Sequence, residues 1–123
     1  MAKKKILLVD DSNTVLLMER MVIGEDKYQL LVARNGKEAV TRALAERPDL
    51  IFMDVLMPEM DGFEACKTLR ERPETHQVPI IMVTTRGEPC NVQKGFEAGC
   101  SEYITKPFNS VELVAKLKNY LGE

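Results

Sequence analysis

Four short stretches of this sequence end in side chains that could do chemistry together. Ile6-Leu7-Leu8-Val9 stops at Asp10-Asp11, Leu50-Ile51-Phe52-Met53 at Asp54, and Ile80-Ile81-Met82-Val83 at Thr84-Thr85, while residues 102–105 lead into Lys106. Carboxylates brought together repel, and unless a cation offsets them one or more is pushed towards its neutral form. A partly hydrated, oxygen-only donor set suits a hard magnesium ion better than zinc. An ionised Asp54 beside such an ion is a nucleophile, and its attack on phosphorus gives an aspartyl-phosphate. The metal can screen the incoming phosphoryl charge, Lys106 can meet one phosphate oxygen, and the Thr84 hydroxyl can donate to another. Singly, each residue has an ordinary explanation. Asp10 or Asp11 could be a helix-start acid favoured by the dipole, Asp54 a turn former, Thr84 a strand end and Lys106 a surface charge. The chemical reading rests on four separate exits carrying complementary groups.

For those groups to meet, the stretches must be parallel strands, whose C-termini share one edge of a sheet. The intervening segments carry helix signals. Ser12 is an N-cap for a helix running to about Gly24. Asn35 with Glu38, and Asp61 with Glu64, have capping-box spacing, and Pro48 and Pro73 close the helices they open. Pro89 suits the first position of a fourth helix ending near Gly99. Asn109 with Glu112 caps a last helix whose Leu113, Val114, Leu117 and Leu121 form one apolar stripe. The fourth helix is the weakest: Gly95 costs about 1 kcal/mol relative to Ala, and its apolar residues, Val92, Phe96 and Ala98, are few. Residues 28–33 form a further strand, polar at its start as an edge strand would be, and its exit (Ala33-Arg34-Asn35) adds no obvious chemistry. Strand and helix thus alternate five times, which predicts an α/β fold: a five-stranded parallel sheet with helices on both faces and right-handed crossovers. A strand order of 2-1-3-4-5 would set the first and third strands side by side at the topological switch point, where such sheets bind ligands.

Composition narrows the alternatives. At 123 residues, 45% apolar and 29% charged, the chain reads as one domain with one substantial core. A net charge of -2 gives no general pull towards nucleic acid or an acidic membrane surface. No apolar run approaches the roughly 20 residues of a membrane span, and the basic start, Met1-Ala2-Lys3-Lys4-Lys5, precedes too short an apolar stretch for a signal peptide. A cytoplasmic protein is expected, with neither membrane insertion nor direct nucleic-acid contact. Cys66, Cys90 and Cys100 are odd in number with no C-x-x-C pair, and His76 is the only histidine; disulfide scaffold and structural zinc are both disfavoured. His76, in RPETHQVP, reads as a solvated loop residue. No glycine-rich phosphate loop follows the first strand, which argues against a nucleotide-binding domain.

In ILLVDDS (6–12), DVLMPEMDG (54–62), VTT (83–85) and YITKPF (103–108) the sequence resembles the receiver domain of two-component response regulators, most closely the stand-alone CheY-like type. The resemblance covers essentially the whole chain. It implies a flavodoxin-like (βα)5 sheet in the order 2-1-3-4-5, an order for which CheY is a standing example, and a single receiver domain over 1–123. It implies Asp54 as phosphoacceptor and Asp10 and Asp11 as an acidic pocket for magnesium, with manganese as an alternative. Asp11 and Asp54 would ligate directly, Asp10 largely through water, and the main-chain carbonyl of Leu56 would complete the protein ligands. Thr84 would move towards the phosphate, Lys106 would pair with it, Tyr103 would be an aromatic switch, and the Lys106-Pro107 bond would be cis. The phosphodonor would be the phosphohistidine of a sensor kinase or phosphotransfer domain, or a small acyl phosphate. The chain would be no enzyme beyond its own phosphorylation and autodephosphorylation, and would be a monomer or weak dimer. Phosphorylation adds roughly 1.5 to 2 negative charges. The face made by helix four, strand five and helix five would then change shape for a downstream protein, in chemotaxis-type or other signalling. A metal-dependent phosphatase of the haloacid dehalogenase kind would instead make Asp10 the nucleophile, but it wants an acid two residues later, where Ser12 stands. A receiver acting through contacts alone, without phosphate, is disfavoured by the complete set of acids, Thr84 and Lys106.

The resemblance also places Leu56 and Arg86 beside the approach of the water that would hydrolyse the phosphoryl group. Both are large, and neither is a carboxylate or amide suited to orienting that water. A Leu56→Asn, Arg86→Glu variant is therefore expected to lose phosphate severalfold faster than the parent in a magnesium-containing chase; an equal or slower loss counts against the two positions.

Overall fold

Runs of Ile, Leu, Val and Met too short for helices pair into one parallel sheet, and the capped segments between them lie on its two faces. The computed structural model describes residues 3–55, 57–85 and 89–123. Its strands are β1 (Lys4–Val9), β2 (Tyr28–Ala33), β3 (Leu50–Asp54), β4 (Ile80–Thr85) and β5 (Glu102–Lys106). They alternate with α1 (Asn13–Ile23), α2 (Gly36–Glu46), α3 (Gly62–Arg70), α4 (Pro89–Ala98) and α5 (Ser110–Leu121). The sheet order is β2-β1-β3-β4-β5 with every pairing parallel, as the alternation predicts. Among the described residues no helix is long and apolar enough to cross a membrane.

Strand periodicity divides the core between the two faces. Leu7, Val9, Ile51, Met53, Ile80 and Met82 pack under α2 and α3, where Ala39, Ala43, Ala65, Cys66 and Leu69 meet them. Ile6, Leu8, Leu50, Phe52, Ile81, Val83 and Ile104 pack under α1 and α5, against Leu16, Ile23, Leu113 and Leu117. Fully burying each large aliphatic side chain contributes about 1.5–3 kcal/mol, so a one-residue slip of any central strand would reverse its faces and is strongly resisted. The register fixes the functional edge. Val9 is level with Met53 and Asp54 with Val83, so Asp10 comes level with Asp54, and Thr84 lies one step beyond.

The helix starts form as their capping residues require. Side-chain oxygens of Ser12, Asn35 and Asp61 accept from the third N–H beyond them, at 3.3, 2.7 and 2.9 Å, and Asn109 accepts from both Val111 and Glu112. Gly24, at φ 88°, closes α1. Several boundaries differ from expectation. β4 runs on through Thr85 and β5 through Lys106, past the exits read from the sequence. β1 begins at Lys4, ahead of the apolar run, because Lys4 and Lys5 lay their stems along the sheet and carry their ammonium groups to the carbonyls of Leu121 and Glu46. α3 stops at Arg70, short of Pro73, where the buried Thr75 hydroxyl takes the Leu69 carbonyl at 2.6 Å.

Gly95 has a packing role beyond its propensity cost. A Cβ there would stand 3.3 Å from the Cys100 sulfur and 3.5 Å from Met82 Cγ, so glycine lets α4 lie close on β4. The C-terminal end of α4 is held from α3. Arg70 Nε donates to the Gly99 carbonyl at 2.7 Å, while its Nη1 donates to the carbonyls of Thr75, His76 and Val78. His76 is exposed, its Nδ1 2.7 Å from the Arg70 carbonyl. Among the described residues no carboxylate is paired with Arg70, so its guanidinium serves carbonyls of two loops, the Thr75 one shared with the Val78 N–H. Replacing it with Met, which keeps the stem, is expected to destabilise the protein by about 3 kcal/mol in denaturant unfolding; a loss under about 1 kcal/mol would mean that water replaces the guanidinium freely.

Candidate functional site

The strand exits do converge. Asp10 and Asp54 are 1% and 6% exposed, and Asp11 stands beside them, exposed. Each of the three offers an oxygen within 4.8 Å of the others. Lys106 reaches in from β5 and places its ammonium 2.9 Å from Asp10 Oδ2 and 2.9 Å from Asp54 Oδ1. The Lys106-Pro107 bond is cis. The Ser12 N–H donates to Asp10 Oδ1 at 2.9 Å, fixing that carboxylate at the start of α1. Thr84, 1% exposed, lies near the end of β4, between the strands that bear Asp54 and Lys106. Leu56 and Arg86, expected beside this site, lie outside the described residues.

Close backbone contact holds the segment after Asp54 in place. A Cβ on Gly62 would stand 2.2 Å from the Asp54 carbonyl oxygen, and the Gly62 N–H donates to the Val55 carbonyl at 2.8 Å. Gly36 approaches the Met60 carbonyl in the same way, with an N–H bond of 2.9 Å. Asp61-Gly62 therefore serves structure twice: the acid caps α3, and the glycine lets the helix start against the backbone of Asp54.

Burial pushes the Asp54 carboxyl up to about 6; the Lys106 hydrogen bond and charge oppose that rise, and Asp10 adds to it. Burial disfavours the charge on Lys106 as well, but the two carboxylates more than offset it and raise its pKa. Three carboxylates against one ammonium leave the edge short of positive charge. A hard divalent cation fits this donor set: all donors are oxygens, they are mutually close, and their repulsion is what such an ion relieves.

A family model described as the response regulator receiver domain matches residues 6–118. The chain belongs to the receiver domain family. It is 43% identical over 117 residues to the transcriptional regulatory protein ResD of Bacillus subtilis, covering 95% of this chain and 48% of that one. The receiver thus spans about half the length of the curated relatives it matches. A putative response regulator from Chloroflexus aurantiacus is 38% identical, with a TM-score of 0.94 over 99% of this chain and 100% of that one. The receiver domain of the sensor histidine kinase PA1611 of Pseudomonas aeruginosa, 30% identical with a TM-score of 0.91 over 99% of this chain and 100% of that one, holds a magnesium ion in its active-site cleft. Receiver domains are regulatory modules of two-component signalling that work with histidine kinases and downstream effectors, and the acidic cluster here is compatible with magnesium.

One charged residue near the site has no role in the strand-exit reading. Glu19 lies on the core face of α1 with Leu16 and Ile23, is 1% exposed, and its Oε1 has no hydrogen-bond partner among the described residues. Its spacing from Leu16 and Ile23, three and four residues, is the signal that could have found it: an acid in the apolar phase of an amphipathic helix. Burial pushes its carboxyl up to about 8, repulsion from Asp10 adds to this, Lys106 opposes it and Asp54 adds. Below the unfolded value near 4.5 both states hold the proton and nothing is lost. Between about 4.5 and 8 the unfolded chain releases it while the folded one keeps it, so stability falls as pH rises through that window and levels off above it. The stability of Glu19→Gln relative to the parent should accordingly increase by roughly 3–5 kcal/mol between pH 4.5 and 9. A pH-independent difference in denaturant midpoints would show that Glu19 ionises alike in both states.

Proposed function

We propose that this receiver accepts a phosphoryl group on Asp54 from a phosphohistidine, with a divalent cation, and passes the change to a protein partner. The observation that carries this reading is the meeting of Asp54 with Asp10 and Lys106 at one sheet edge, within 2.9 Å contacts of a single ammonium. In the transfer, an Asp54 oxygen forms the new bond to phosphorus as the phosphorus–nitrogen bond breaks, and the electron pair returns to the imidazole. With its carboxyl at about 6, Asp54 is mostly ionised at neutral pH and so able to attack. Asp10, Asp11 and Asp54 would hold the ion, magnesium by the hardness of the set or manganese in its place, and the ion supplies charge neutralisation when bound. Lys106 is placed to turn from the Asp54 carboxylate to a phosphoryl oxygen, and the Thr84 hydroxyl, at the end of the neighbouring strand, to donate to another. Tyr103 on β5 then responds, and the α4-β5-α5 face presents a changed surface to a downstream protein. The half-length match to regulators named for transcription carries no nucleic-acid contact over to this chain; the partner read here is a protein.

Incubation with acetyl phosphate and magnesium, followed by intact mass and peptide mapping, tests the core of this reading. A single phosphate adduct is expected in the parent and none in Asp54→Ala. An unmodified parent, or an adduct that persists in Asp54→Ala, would overturn it.

A further inference from the structure

Tyr103 is held from two sides by residues outside the acidic site. Its ring meets Phe96 of α4 edge-on, with centroids 5.9 Å apart and planes at 89°. Lys116 of α5 places its ammonium 5.3 Å from the centroid of the same ring. That ammonium also donates to the Tyr103 carbonyl at 2.8 Å and lies 3.6 Å from the Glu102 carboxylate. Glu102 in turn accepts from the Tyr103 N–H at 3.1 Å. The four contacts form a closed circuit on the outer edge of β5: acid to amide, carbonyl to ammonium, ammonium to acid and ammonium to ring.

We propose that Lys116 is a positioning residue that latches Tyr103 in its resting orientation, so that phosphorylation must work against this contact to turn the ring. The inference rests on the switching role of Tyr103 proposed above and adds the group that sets its resting bias. The circuit explains why the lysine, rather than Phe96, holds the ring. Phe96 is 46% exposed and meets Tyr103 through its ring, whereas Lys116 is tied to the Tyr103 backbone and to Glu102, and keeps its place over the ring without relying on the ring for it. A cation over an aromatic face at a partly exposed site biases the ring about three- to fivefold. Because coupling between two sites is reciprocal, whatever favours the resting ring must weaken binding of a phosphoryl group by the same factor.

The test uses Lys116→Met, which keeps the stem and removes the charge, with beryllofluoride and magnesium as the phosphoryl mimic. The variant is expected to bind the mimic about three- to fivefold more tightly than the parent, and the gain should vanish in a Tyr103→Leu background. Unchanged or weaker binding, or a gain that survives without Tyr103, overturns the latch. A second readout needs no mimic: in the free parent, ring protons of Tyr103 should show nuclear Overhauser contacts to the Lys116 side chain, and in free Lys116→Met the ring's contacts to Phe96 should weaken. Free-protein spectra in which the substitution leaves the ring unmoved also overturn it. Failure of both proteins to bind the mimic, with the ring released in the variant as expected, would instead count against the phosphoacceptor reading and leave the latch standing.

Discussion

The Lys106 ammonium lies 2.9 Å from a carboxylate oxygen of Asp10 and the same distance from one of Asp54, two acids that burial has nearly removed from water. A buried carboxylate without a partner costs several kcal/mol, and here two stand on adjacent strands with a third acid beside them. One ammonium makes the pair tolerable without neutralising the cluster, and burial, with repulsion from Asp10 added, still raises the Asp54 pKa against it. The sheet order makes the arrangement demanding. β4 separates β3 from β5, so the backbones that carry Asp54 and Lys106 are roughly 10 Å apart. Only a long side chain from β5 spans that gap, and Thr84, near the end of β4, is a small residue.

The backbone around this pair is fixed by close approach rather than by side-chain packing. Gly62 and Gly36 admit carbonyl oxygens where any Cβ would collide, which pins the segment after Asp54 to the starts of α2 and α3. On the opposite edge of the molecule, Arg70 ties the end of α3 to the end of α4 and to the loop before β4. The helices are therefore held by different means: α3 against the backbone of Asp54, α4 through the loop that follows it.

Most of the architecture was legible from local signals. Apolar runs, capping residues and prolines mark the ten elements, and the exits of four strands point to Asp10, Asp54 and Lys106 as neighbours. The residues that escaped share a physical cause. Arg70 and Lys116 act through long, flexible stems whose targets lie 29 and 13 residues away in sequence, and no local pattern encodes such a reach. Glu19 is hidden differently: its acid sits in the apolar phase of α1, away from any strand exit. Gly95 was legible as a weak point in α4, but its reason, the nearness of Cys100 and Met82, belongs to packing.

Placement of β5 at the border of the sheet has a consequence for association. A bare outer strand offers unpaired amides and carbonyls to any other extended chain, a template for unwanted strand addition. At Tyr103 both groups are already engaged, the N–H by Glu102 and the carbonyl by Lys116. At that position the border is blunted by two oppositely charged side chains. The protection is reversible, since it lasts only as long as Lys116 stays in place, and it lies on the strand that carries Tyr103.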